Sequence, residues 1–169
     1  MLDANFFSLS KISKLPMNQV TILQDSRERF PWNLEPMKIE VLALQTGDYC
    51  SIDKKLVIER KGSLDELISC MTLSRERFER ELERMQGFER ALVMVEATYD
   101  DFVNGRFLSQ MSVKSAQATL AAWIEDYGIP IHFFDNSAKA EDFARTLFYM
   151  HHRRRLKEMV RMAPYLVKN

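Results

Sequence analysis

The segment from Gly47 to Asp65, "GDYCSIDKKLVIERKGSLD", sets Asp48, Glu59 and Lys61 at spacings that could bring two carboxylates and an ammonium together. The apolar run Leu56-Val57-Ile58 passes without a turn residue into Glu59, Arg60 and Lys61. Charges are seldom buried without partners, because stripping their water costs several kcal/mol or forces a pKa shift. A strand that carries them off its apolar end has them there for chemistry or for an ion pair. Side chains on a strand alternate between faces, so Glu59 and Lys61 share one face and Arg60 takes the other. Asp48 lies on the preceding segment, a short turn away, and falls near Glu59 if the two pair antiparallel. Asp25 closes an earlier apolar run and reaches the same edge. Carboxylates a few ångström apart repel, and one of them normally keeps its proton. A hard divalent cation removes that penalty. Mg²⁺ takes oxygen ligands, commonly one or two carboxylates together with phosphate oxygens and waters. A lysine beside it stabilises charge growing on a phosphate. Acid, acid and lysine around a metal suit phosphodiester hydrolysis; a structural ion-pair network at a strand edge is the plainer alternative.

The elements that must position these groups follow from pattern. Strands are predicted at residues 20–25, 38–44, 48–52 and 56–61, close enough for a meander joined by short turns. Ser63 with Glu66 three residues on is a capping-box signature for a helix to about residue 71. Phe78, Leu82 and Met85 form the apolar stripe of a second helix that starts at Ser74. The run 91–97 reads as a strand buried on both faces. A helix follows over 113–127, stopped by Gly128, then a strand in "IPIHFF", then a long helix over 138–160. A β-rich half thus precedes a βαβ-like half. Residues 1–18 read as an N-terminal arm and 19–169 as one α/β domain.

Composition bounds the rest. The chain has 169 residues and is 46% hydrophobic, enough for a sizeable core without disulfides. Its two cysteines, Cys50 and Cys70, lack any zinc-like spacing and read as inert thiols. No apolar run is long enough for a membrane span, and the N-terminus lacks a signal-peptide pattern, so the cytoplasm is the expected location. Lys and Arg number 24, as do Asp and Glu, so net charge neither supports nor excludes a nucleic-acid partner. The one uninterrupted basic run is Arg153-Arg154-Arg155, with Lys157 beyond it. It is expected to contact DNA phosphates, against the plainer reading of a solvated helix end. Trp32 and Tyr49 could stack on a base, but packing is the better reading for both.

Three motifs in order, "DSRE" (25–28), "GDY" (47–49) and "VIERKGSLD" (57–65), resemble the signature of the XPF-type structure-specific nuclease domain, a branch of the restriction-endonuclease-like fold. The match spans roughly residues 20–97. The resemblance implies a central mixed β-sheet flanked by helices. It implies Asp25, Asp48 and Glu59 as metal-binding acids, with Asp48, Glu59 and Lys61 catalytic. Arg27, Arg60 and Asp65 are expected to hold the acids by charge-assisted hydrogen bonds, and Glu28 to help through water or from behind the acids. The cofactor implied is Mg²⁺, with Mn²⁺ as a substitute. The reaction implied is endonucleolytic cleavage of branched or flap DNA, leaving a 5′-phosphate and a 3′-hydroxyl. Arg77 and Phe78 match a family pattern that goes on to Gln, but Glu81 stands in that place here. Family members often carry a helix-hairpin-helix module rich in glycine. This chain has no glycine after Gly128, so that module is not expected within it. Pairing of two copies through the helices 112–127 and 138–160 is a further expectation. The rival is a non-catalytic DNA-binding or partner subunit, since the family pairs active with degenerate domains. The intact acid set favours the enzyme; RNA as substrate stays open.

Overall fold

The computed structural model describes residues 9–166. Six strands form one sheet: β1 (Thr21–Asp25), β2 (Lys38–Leu42), β3 (Tyr49–Ser51), β4 (Leu56–Lys61), β5 (Arg90–Glu96) and β6 (Ile131–Phe134). Their order is β2-β1-β3-β4-β5-β6. β3 runs antiparallel to β1 and β4, while β1–β2, β4–β5 and β5–β6 are parallel. The sheet is therefore mixed, as the resemblance implied.

The first four strands do not form a meander. Only β3 and β4 make a hairpin. β2 lies parallel to β1 on the outer edge, and parallel neighbours need a crossover. Residues 26–37 supply it, with Trp32, Leu34 and Met37 buried against one sheet face. Those three apolar side chains draw the connection across the sheet, which a short turn between β1 and β2 would forbid.

Helices cover both faces. α2 (Leu64–Met71), α3 (Arg75–Met85), the short α4 (Tyr99–Val103) and α5 (Val113–Tyr127) share a core with Val57, Val93 and Val95. On the other face α6 (Ser137–Leu166) packs Ala140, Ala144 and Phe148 against Ile58 and Met94. Strand alternation sorts β4 between the two cores: Val57 faces α2 and α3, while Leu56 and Ile58 face α6.

Local signals set the helix ends. Ser63 caps α2 by accepting from Glu66 N, and Gly128 ends α5 at φ +66° with its N–H on Ile124 O. The arm predicted over 1–18 falls partly outside the described residues. Its described portion contains α1 (Leu9–Ser13), whose Ile12 is buried, and Tyr149 Oη donates to Leu15 O. Among the described residues, no helix is long and apolar enough to cross a membrane.

Candidate active site

The start of β3 meets the end of β4 where β1 and β5 also finish, so these strands bring residues to one end of the sheet. Gly47 makes the approach feasible. Its φ is +71°, and a Cβ there would lie 2.3 Å from Val57 Cγ2 and 3.0 Å from Ile58 O. Any other residue at 47 would push the chain off β4 and move Asp48 with it.

Asp48 N donates to Ile58 O at 2.9 Å. Its carboxylate turns back on the same strand, and Oδ2 accepts from Arg60 N at 2.7 Å. Glu59 lies beside it on the face toward α2 and α3. Lys61 Nζ donates to Glu59 Oε1 at 2.6 Å, stands 3.6 Å from Glu66 Oε1, and sits 4.8 Å from the Phe78 ring centroid. Asp48, Glu59 and Lys61 line one polar cleft of about 510 Å³, with Gly62, Ser63 and Glu66 at the foot of α2.

The electrostatics are those of crowded acids. Burial and the Glu59 carboxylate push Asp48 up to about 8, against the Arg60 amide, which favours its charge. Burial also raises Glu59, and the neighbouring Lys61 opposes that rise. For Lys61 burial works against the charge, yet Glu59 outweighs it, and the ammonium is held above its ordinary range. The contact with Glu59 thus favours the charged ammonium of Lys61 over the neutral amine.

Arg60 takes the other face, as alternation predicted. Its guanidinium forks onto Glu96 at 2.7 and 3.0 Å, reaches Glu28 Oε1 at 3.2 Å and donates to Phe30 O at 2.6 Å. Trp32 Nε1 closes the network on Glu96 Oε1 at 2.5 Å. Burial opposes the Glu96 charge, but Arg60 and Trp32 hold it below the usual carboxylate range. Trp32 and Tyr49 stack on each other, centroids 4.6 Å apart, which commits both rings to packing.

The three expected metal acids are not gathered. Among the described residues, no group of three His, Cys, Asp or Glu side chains is placed to hold a metal ion. Asp25 does not line the cleft and is engaged by Arg27 instead. Its carboxylate is forked by Arg27 at 3.0 Å (Nε) and 2.5 Å (Nη2), and accepts the Arg27 amide at 2.8 Å. Arg27 also donates to Leu44 O, so Asp25 braces the turn after β1, and that hydrogen bonding lowers its pKa. Asp65 likewise stands apart: its Oδ1 accepts from Leu108 N, holding a distant loop to α2.

Two remaining acids still fit a divalent cation. Asp48 spends only Oδ2 on the backbone and Glu59 only Oε1 on Lys61, among the contacts of the described residues. Burial and the Glu59 carboxylate raise Asp48 although Lys61 stands by, so a further positive charge would be accommodated there; a hard cation with waters and phosphate oxygens would supply it.

The basic predictions divide. Arg77 lines the cleft, is exposed, and forms no ion pair among the described residues. The run at 153–157 sits on α6 at the opposite end of the strands, beside Asp53. Arg154 and Arg155 pair with Glu89 and Glu158, Arg155 Nε also meets Asp53 at 2.8 Å, and Arg153 donates to Ile12 O. Lys157 follows on the same helix. Arg154 and Arg155 of the expected phosphate patch are thus engaged by acids, two from remote segments (Asp53 and Glu89) and one, Glu158, from the same helix.

The sequence reading missed Glu96, Phe30 and Glu81 as neighbours of the site. Glu96 carried a usable signal, since it ends an apolar strand as Glu59 does. Glu81 Oε1 accepts from Gly47 N at 2.8 Å, a bond that Gln would make without charge.

Fold and site together define an XPF-type nuclease domain. The chain belongs to the ERCC4 domain family, whose profile matches residues 24–162. Among solved structures, XPF from Aeropyrum pernix is similar at a TM-score of 0.63 and 25% identity, over 78% of this chain and 61% of that one. XPF from the same organism in a complex with DNA shares the fold at a TM-score of 0.60 and 19% identity, over 89% and 68% of the two chains. A Methanocaldococcus jannaschii protein, whose name describes an ATP-dependent RNA helicase, is 29% identical over 147 residues. That match takes in 86% of this chain but only 17% of the relative's length.

Proposed function

We propose that this chain is a metal-dependent DNA endonuclease that cuts phosphodiester bonds in branched or flap DNA. The observation that carries the reading is the cleft itself: Asp48, Glu59 and Lys61 converge there from two paired strands inside a nuclease-family fold. Asp48 and Glu59 would hold Mg²⁺, with Mn²⁺ as a substitute. When bound, the ion supplies Lewis-acid chemistry at the scissile phosphate. To hold the ion Asp48 would have to be in its charged form, which its raised pKa makes pH-dependent. Glu59 is kept in place by Lys61, and Lys61 offers its positive charge to the phosphate oxygen that gains charge. Arg77 on the rim holds a neighbouring phosphate. Arg60 and Glu28 hold the wall that carries Asp48 and Phe30. DNA is the proposed substrate because the similar XPF structure is recorded with DNA. Two copies are proposed to pair, and a cytoplasmic or nucleoid setting fits such work.

The test is single-turnover cleavage of an end-labelled flap DNA in Mg²⁺, Mn²⁺ and chelator. Wild type should cut with either metal and stop in chelator. Asp48→Asn should abolish cleavage. Lys61→Ala should slow it by about 10²-fold or more, the size of effect usual for a lost charge-stabilising group. If both variants cut like wild type, the active site lies elsewhere. If wild type cuts no linear or branched DNA, the non-catalytic subunit takes its place.

A further inference from the structure

Phe30 stands out among the large apolar side chains. It is 79% exposed, yet it lines the same cleft as Asp48 and Glu59. Its backbone is not loose. Phe30 N donates to Glu28 Oε1 at 3.0 Å, and Phe30 O accepts from Arg60 Nη1 at 2.6 Å. Two residues on, Trp32 is buried and stacked on Tyr49. The chain is thus fastened on both sides of the residue while the ring itself projects into solvent. The ring contributes nothing to either hydrophobic core. Arg60, which fastens it, is the residue between Glu59 and Lys61, so the ring is referenced to the same strand as the acids.

We propose that Phe30 is a stacking platform for one unpaired base beside the scissile phosphate, and that it sets the preference for DNA with a single-stranded or frayed nucleotide at the cut. This rests on the nuclease reading of the cleft. A base inside a duplex has both faces covered by its neighbours and offers none to Phe30. An unpaired base offers one, and aromatic rings take it with little regard to sequence. Arg77 lines the same cleft from α3 and is exposed there, as a phosphate contact must be. A strand laid over the acids would meet a cation and an aromatic face, the pairing that single-strand binders use. Fixing the loop in advance avoids ordering it on binding.

The experiment uses flap and fully paired DNA with 2-aminopurine placed at successive positions around the branch, bound in chelator. Wild type should quench the fluorescence at one unpaired position. Phe30→Ala should lose that quench and bind the flap roughly five- to a hundredfold more weakly, the effect of one lost base–aromatic stack. Its affinity for paired DNA should not change. Phe30→Trp should restore both quench and affinity. Phe30 is outside the cores, so Phe30→Ala should melt like wild type. No quench at any position, or equal loss on flap and paired DNA, overturns the stacking role. Quenching by a protein that never cuts in Mg²⁺ keeps the platform and removes the nuclease. Unaltered flap preference in cleavage by Phe30→Ala removes the platform and keeps the nuclease.

Discussion

Asp48 carries the sharpest consequence at the scale of one residue. Its pKa of about 8 in the folded chain compares with 3.8 for an ordinary Asp. Between those values the native state holds a proton that the unfolded chain releases. Stability of the metal-free protein must then fall as pH rises through this window. Glu59 is raised too and acts in the same sense. Burial lowers His152, which works the other way, but only up to its ordinary value of 6.5. Carboxylates with lowered values, such as Asp25 and Glu96, act only in acid. From pH 7 to 8 the crowded acids therefore govern the slope. Mg²⁺ must displace the Asp48 proton, so its stabilising effect should grow over the same range. Thermal melts at pH 7 and 8, in chelator and in Mg²⁺, check both statements. Asp48→Asn should flatten the metal-free slope and remove most of the Mg²⁺ gain. An Mg²⁺ gain that is equal at both pH values, or intact in Asp48→Asn, would mean that the ion binds elsewhere.

At the scale of elements, the site depends on how β4 is tied to its surroundings. Arg60 and Glu96 are 10% and 6% exposed at the side chain, so their fork is a buried ion pair. Removing one partner of such a pair usually costs about 3–5 kcal/mol, because the other charge is stranded. Arg60→Met should therefore lower stability in urea unfolding by about that much. Arg60→Met combined with Glu96→Gln should lose less than Arg60→Met alone; a double variant that is worse would mean that Arg60 acts mainly through Phe30 O and Glu28. How much of this was legible varies by element. Alternation along "VIERK" placed Glu59 and Lys61 together and Arg60 opposite, and all three lie as read. The same period could not say what Arg60 would find, since Glu96 and Trp32 reach it from other segments. β2 was legible as a strand but not as a parallel edge, because three buried side chains in a long connection decide its pairing. Asp25 was legible as the end of β1. Its bond to Arg27 was expected, but the further bond from Arg27 to Leu44 O, a backbone group, is one that no motif reveals.

Across the whole molecule, charge is divided between the two ends of the sheet. At the far end Arg154 and Arg155 are neutralised by Glu89, Glu158 and Asp53, so replacing both with Ala should lower the melting temperature without changing the salt slope of DNA binding. Arg77→Ala at the cleft should reduce that slope by about one, as one lost phosphate contact does. The reverse pattern would return the basic run to the DNA interface. The edges of the sheet also differ. Among the described residues β6 pairs only with β5, and it is flanked by half-exposed apolar groups: Tyr99 on α4 and Phe143 on α6, 54% and 41% exposed. Phe143 lies 5.2 Å from the Phe134 ring and Tyr99 5.4 Å from that of Phe133, so both sides of the strand end in aromatic shelves. An unpaired edge with apolar shelves invites a partner, and a second copy offers the same surface about a two-fold axis. Of the two helices that the sequence marked for pairing, α6 contributes to this surface through Phe143; the other shelf comes from α4. Light scattering at micromolar concentration should give twice the 19.9 kDa of one chain. Phe143→Arg should divide the pair while leaving the fold intact, since the ring lies outside both cores. A single chain of 19.9 kDa with and without DNA would leave β6 as an edge guarded only by its short length.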